Sequence, residues 1–116
     1  MLERDWELFA QHQKAVLLET IEHVYDKFQD WLSLFIISEL LGEYFSDDRA
    51  LETLKRLKNT SNELARSFVP HGFEHMVKSA KDEALCMRAR LELEDMKHDL
   101  STKVRDEVSI SLANLE

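Results

Sequence analysis

The sequence predicts an all-α fold, a bundle of four or five helices. Three observations carry this. The 116 residues contain two glycines and one proline, against ordinary usage of about 7% and 5%. Strand-rich folds need many turns, and turns need those residues. Apolar residues recur at spacings of three, four and seven along most of the chain, the period of a helix buried on one side. Apolar residues make up 44% and charged residues 33%, a globular composition of a size that suits one domain, residues 1–116, with one core.

The first helix runs over residues 2–30. Trp6, Ala10, Leu17, Ile21, Val24, Phe28, Trp31 and Phe35 share one face. At 100° per residue, Asp5, His12, Glu19, His23, Asp26 and Asp30 fall opposite, making an acidic back. Residues 31–45, WLSLFIISELLGEYF, hold ten apolar residues in fifteen and show apolar side chains all round. Such a helix is expected at the centre of the bundle, or against another chain. Trp31, Phe35, Ile36, Leu40 and Tyr44 are the candidate contacts of a homo-oligomer. The run is shorter than the ~20 residues of a membrane span, and Glu39 and Glu43 interrupt it.

Ser46 followed by Asp47 and Asp48 reads as a helix start, since free amides there attract oxygen and negative charge. Ala50, Leu54, Leu57, Ser61, Leu64 and Phe68 form the next stripe. Thr60 and Glu63 have capping-box spacing and place a short break near 59–61. After PHGFEH, residues 70–75, the pattern resumes with Phe73, Met76, Val77 and Ala80. Ser79 and Asp82 form a second capping pair. Ala84, Met87 and Leu91 continue the stripe, and it shifts to Met96, Leu100, Val104, Val108, Leu112 and Leu115. KHDLSTK, residues 97–103, is the expected interruption of this last part.

Ala50, Leu54 and Leu57 line up with Ala89, Leu93 and Met96 at an offset of 39 residues. The stretch 70–96 has proline early in a first helix, Asp82 at the turn, and then Leu85, Ala89, Leu93 and Met96. It resembles one helical pair of a HEAT repeat, whose period is roughly 40 residues. The resemblance covers under a quarter of the chain. It implies an alternative fold, a short stack of helical pairs, and a scaffold that binds macromolecules on a curved surface.

PHGFEH is the stretch most like chemistry. His71, Glu74 and His75 match H-x-x-E-H, the inverted zinc-peptidase motif. Two neutral imidazoles on one helical face could hold zinc, with a carboxylate beside them to activate water. Only 41 residues follow His75, too few for a distant third ligand. Pro70 and Gly72 flank His71, which favours a bend between helices over a metal helix. The sequence reading is therefore the bend, with His71, Glu74 and His75 kept as candidate metal residues. Paired Glu-x-x-His motifs for a di-metal bundle are absent. The one cysteine, Cys86, excludes an internal disulfide and reads as a small packed thiol. Two isolated glycines cannot build a phosphate loop, so no cofactor is expected.

Net charge is −8, from −8 over residues 1–48, +4 over 49–81 and −4 over 82–116. Arg49, Lys55, Arg56, Lys58 and Arg66 could form a basic patch. A basic helix between acidic ones also reads as electrostatic matching within the bundle, and an acidic chain repels nucleic acid. The acidic N-terminus lacks a basic-then-apolar export pattern, so a cytoplasmic setting is expected. Without a catalytic constellation, the expected function is a non-enzymatic interaction protein: adaptor, inhibitor of immunity type, or regulatory subunit. Its partner would be a protein, possibly basic, met through Asp5, Glu19, Asp26, Asp30 and the basic residues Arg49, Lys55, Arg56 and Lys58. The alternatives are a metal-dependent enzyme using His71, Glu74 and His75, and a nucleic-acid accessory protein using residues 49–66.

Overall fold

A computed structural model describes residues 2–116, with side chains from residue 4 onward. It is all-α. Seven α-helical segments follow in order: α1 Leu2–Val24, α2 Trp31–Glu39, α3 Asp48–Leu57, the single turn α4 Glu63–Arg66, α5 Val69–Ser79, α6 Glu83–Asp95 and α7 Thr102–Asn114. Tyr25–Lys27 and Met96–His98 are 3-10 turns, and a π-helical turn, Leu40–Phe45, extends α2. No strand occurs among the described residues.

The helix starts follow capping chemistry. Asp30, Asp47, Asn62, Asp82 and Ser101 each accept a bond from the backbone N–H three residues on. The cap of α3 is thus Asp47 rather than Ser46. Ser46 instead takes the left-handed conformation, φ 34°, that turns the chain out of the π segment. The expected breaks near 59–61 and within 97–103 are both present.

The central helix is α5, not residues 31–45. It packs against α2, its π turn, α3, α6 and α7. PHGFEH is therefore no bend. Pro70 sits in the first turn of α5, where its missing N–H costs nothing, and the chain turns earlier, at Ser67 and Phe68. The core is one cluster, including Tyr25, Leu34, Leu41, Leu51, Leu54, Phe73, Met76, Leu93, Val104 and Val108. The α5–α6 hairpin is the helical pair that the HEAT resemblance implies, but α2, α3 and α7 surround α5 instead of extending a stack.

The buried stripe differs from the predicted one in two helices. Leu18, Ile21 and the following Tyr25 are the core contacts of the first helical stretch, while Trp6, Ala10 and Leu17 are exposed. In α6 the buried set is Leu85, Ala89 and Leu93, and Met87 and Leu91 face solvent. Leu100 lies bare between helices. At Leu17/Leu18 and through α6 the cause is the same: where two apolar stripes run side by side, periodicity sets the spacing of a stripe and not which of the two finds a neighbour.

Ion pairs stitch the helices. Arg66 forks onto Asp99 at 2.9 and 3.1 Å and also donates to the Thr60 carbonyl at 2.9 Å. Both partners are largely buried. Arg66→Ala leaves that carboxylate only the Ser101 N–H at 2.8 Å, and is expected to cost about 2 kcal/mol, measured as a lower denaturant midpoint.

Candidate functional site

The chain's two glycines meet at one helix crossing. A Cβ on Gly42 would lie 2.2 Å from the Gly72 carbonyl oxygen, and one on Gly72 would lie 2.7 Å from Leu54 Cδ2. Neither glycine has a positive φ, so what these positions require is close approach, not unusual backbone. Ser79 Oγ lies 2.7 Å from the Gly42 carbonyl, a second tie between the π turn and α5.

This crossing sets Glu39, the last residue of α2, against two residues of α5. His71 Nε2 lies 3.2 Å and His75 Nε2 3.7 Å from the same oxygen, Glu39 Oε1. The two imidazoles are 4.3 Å apart between centroids, nearly edge to face. All three side chains are half-buried. Burial by itself would raise the Glu39 carboxyl. The hydrogen bond from His71 and the neighbouring His75 outweigh it and hold the group below the usual carboxylate range. Among the described residues this is the group of three donors placed to hold a metal ion.

The sequence motif named two of the three. His71 and His75 share a helical face, as their i, i+4 spacing requires. Glu74 points elsewhere. It is buried, accepts from Lys78 Nζ at 2.8 Å and from Asn114 Nδ2 at 3.2 Å, and ties α7 to α5. Its carboxyl, which desolvation would raise, is held low by these donors. The H-x-x-E-H reading thus fails at its carboxylate, and Glu39, 32 residues away from His71, takes that place. Sequence alone offered no signal for it, since Glu39 is one of 23 acids.

Beside the cluster, Phe35 stacks on His71 at 4.9 Å and Trp31 meets Phe35 edge-on at 6.4 Å. They border a groove of about 300 Å³ that Leu64, Phe68, Lys103 and Glu107 complete. Residues 31–45 are sealed on one side only. Leu34, Ser38, Leu41 and Gly42 are buried, while Trp31, Leu32, Phe35 and Ile36 are 63, 53, 36 and 55% exposed. Of the remaining interface candidates, Tyr44 is exposed and Leu40 is half-buried against the core.

The basic stretch is largely paired within the fold. Lys55 meets Glu52 and Glu92, Arg56 meets Glu22, and Lys58 meets Glu92 and Asp95. Arg49 borders a cleft with Glu19, Glu22 and Glu52. Among the acidic candidates, Asp5 and Glu19 are exposed on α1, Asp26 lies in the 3-10 turn, and Asp30 caps α2. Cys86 is half-buried, its thiol near the Val77 carbonyl.

Comparison with protein-family models, curated proteins and solved structures finds no match to this chain. Among the described residues, no helix is long and apolar enough to cross a membrane.

Proposed function

We propose that this chain is a non-enzymatic interaction protein that self-associates through the outer face of α2. The carrying observation is the run of Trp31, Leu32, Phe35 and Ile36, two adjacent i, i+4 pairs of large apolar side chains that the chain's own helices leave open. Contiguous apolar area of this kind marks an interaction surface, and self-complementary pairing about a two-fold axis is the commonest way to cover it. Further exposed apolar groups on the first half of α1, Trp6, Leu8 and Phe9, extend the same chemistry. The acidic surface, net −8 overall, steers association with a basic protein partner.

Light scattering at micromolar concentration tests the reading, with twice the chain mass as the expected result. Ile36→Asp puts a charge where the side chain is already half in water, so the fold tolerates it while a dry interface would not. The variant is expected to melt within a few degrees of the parent and to have the mass of one chain. A parent protein that is already monomeric overturns the proposal.

A further inference from the structure

We propose that Glu39, His71 and His75 form a binding site for one divalent transition-metal ion of the zinc type. This goes beyond the interaction reading, and its three ligands are not among the residues that carry that reading.

The donor geometry is the first argument. Zinc takes imidazole nitrogen and carboxylate oxygen at about 2.0–2.2 Å. Two donors at that distance on a tetrahedron are separated by roughly 3.4 Å. The two nitrogen-to-oxygen distances here, 3.2 and 3.7 Å, bracket that edge. All three donor atoms lie within 4.8 Å of one another. An ion entering between them would draw the three donors in from that spread onto one centre.

The scaffold is the second argument. The ligands sit on two helices whose separation is set by glycine against glycine. His71 and His75 are on successive turns of the central helix. Phe35 stacks on the His71 ring, 4.9 Å between centroids and 27° from parallel, and supports it from one side. The binding groups are therefore held in place before the ion arrives, which lowers the entropic cost of binding.

The donor set decides the class of ion. Two imidazoles and one carboxylate suit zinc, and also cobalt or nickel, whereas calcium and magnesium prefer oxygen alone. Three protein ligands leave a fourth position open to water or to a group from another molecule. With the ion in place, α2 would be cross-linked to α5 beside the apolar face.

The test uses untagged full-length protein, stripped with a chelator and titrated with zinc chloride. One equivalent should bind by calorimetry. At a hundredfold excess over Kd the melting temperature should rise by about 10 °C. The cobalt-loaded protein should show the visible absorption of a tetrahedral site. Glu39→Gln and His75→Ala should each weaken binding at least tenfold, while the unliganded variants melt close to the parent. His12→Ala and His23→Ala, on the exposed face of α1, should bind as the parent does. No binding to the parent protein overturns the site. So does binding that survives Glu39→Gln and His75→Ala, or that disappears with His12 or His23.

Discussion

Tyr25→Ala is expected to destabilise the protein by about 4 kcal/mol, the usual cost of deleting a large side chain that the core encloses. Tyr25 is 1% exposed, and its hydroxyl donates to the Ala65 carbonyl at 2.7 Å. The residue therefore fills the core and joins the end of α1 to α4, across 40 residues of chain. Tyr25→Phe keeps the ring and loses the bond, leaving the Ala65 carbonyl to the Phe68 N–H, so about 1 kcal/mol should go. Denaturant midpoints separate the two variants. Burial also pushes the phenol well above its ordinary value. Below pH 10 the hydroxyl is protonated in folded and unfolded chains alike, and stability does not depend on it. Above pH 10 the unfolded chain releases the proton and the folded chain keeps it. Stability should then fall as pH rises, a loss that Tyr25→Phe should lack. A Tyr25 that ionises with the fold intact would show the hydroxyl to be in reach of water.

Gly42→Ala is the second large effect. One methyl group would lie 2.2 Å from a backbone oxygen of α5 and 2.9 Å from His75 Cβ. Neither neighbour can rotate away, so the helices must part, at about 3 kcal/mol. Gly72→Ala is the internal control. Its nearest obstacle is the end of the Leu54 side chain, which can change rotamer, so the cost should be smaller. Equal costs at the two positions would mean that the crossing yields more easily than its geometry implies. Gly42→Ala should also move Glu39 off the two histidines and weaken zinc binding, which ties the stability of the crossing to the function inferred for it.

Most of the secondary structure was legible from residue order. Glycine and proline scarcity excluded a turn-rich fold. The starts at Asp47, Asp82 and Ser101 lie in or beside stretches of capping residues that local chemistry makes recognisable. The i, i+4 relation of His71 and His75 follows from helical geometry alone, once residues 69–79 are known to be helix. What misled was Pro70 beside Gly72. Proline stops a helix from within but suits its first turn, and position relative to the preceding break decides which applies. Glycine likewise reads as a weak point until its partner is known, and here the partner is the other glycine.

By itself, residue order determined that the chain is helical and roughly where several of its helices are capped, because each of these depends on neighbours within about four positions. Tertiary structure decided that α5 is the hub, that Glu39 rather than Glu74 faces the histidines, and that only one side of residues 31–45 is covered. Those outcomes depend on contacts across 30 or more residues. There the choice is made by which surfaces approach closely enough to exclude water, and no local pattern encodes it.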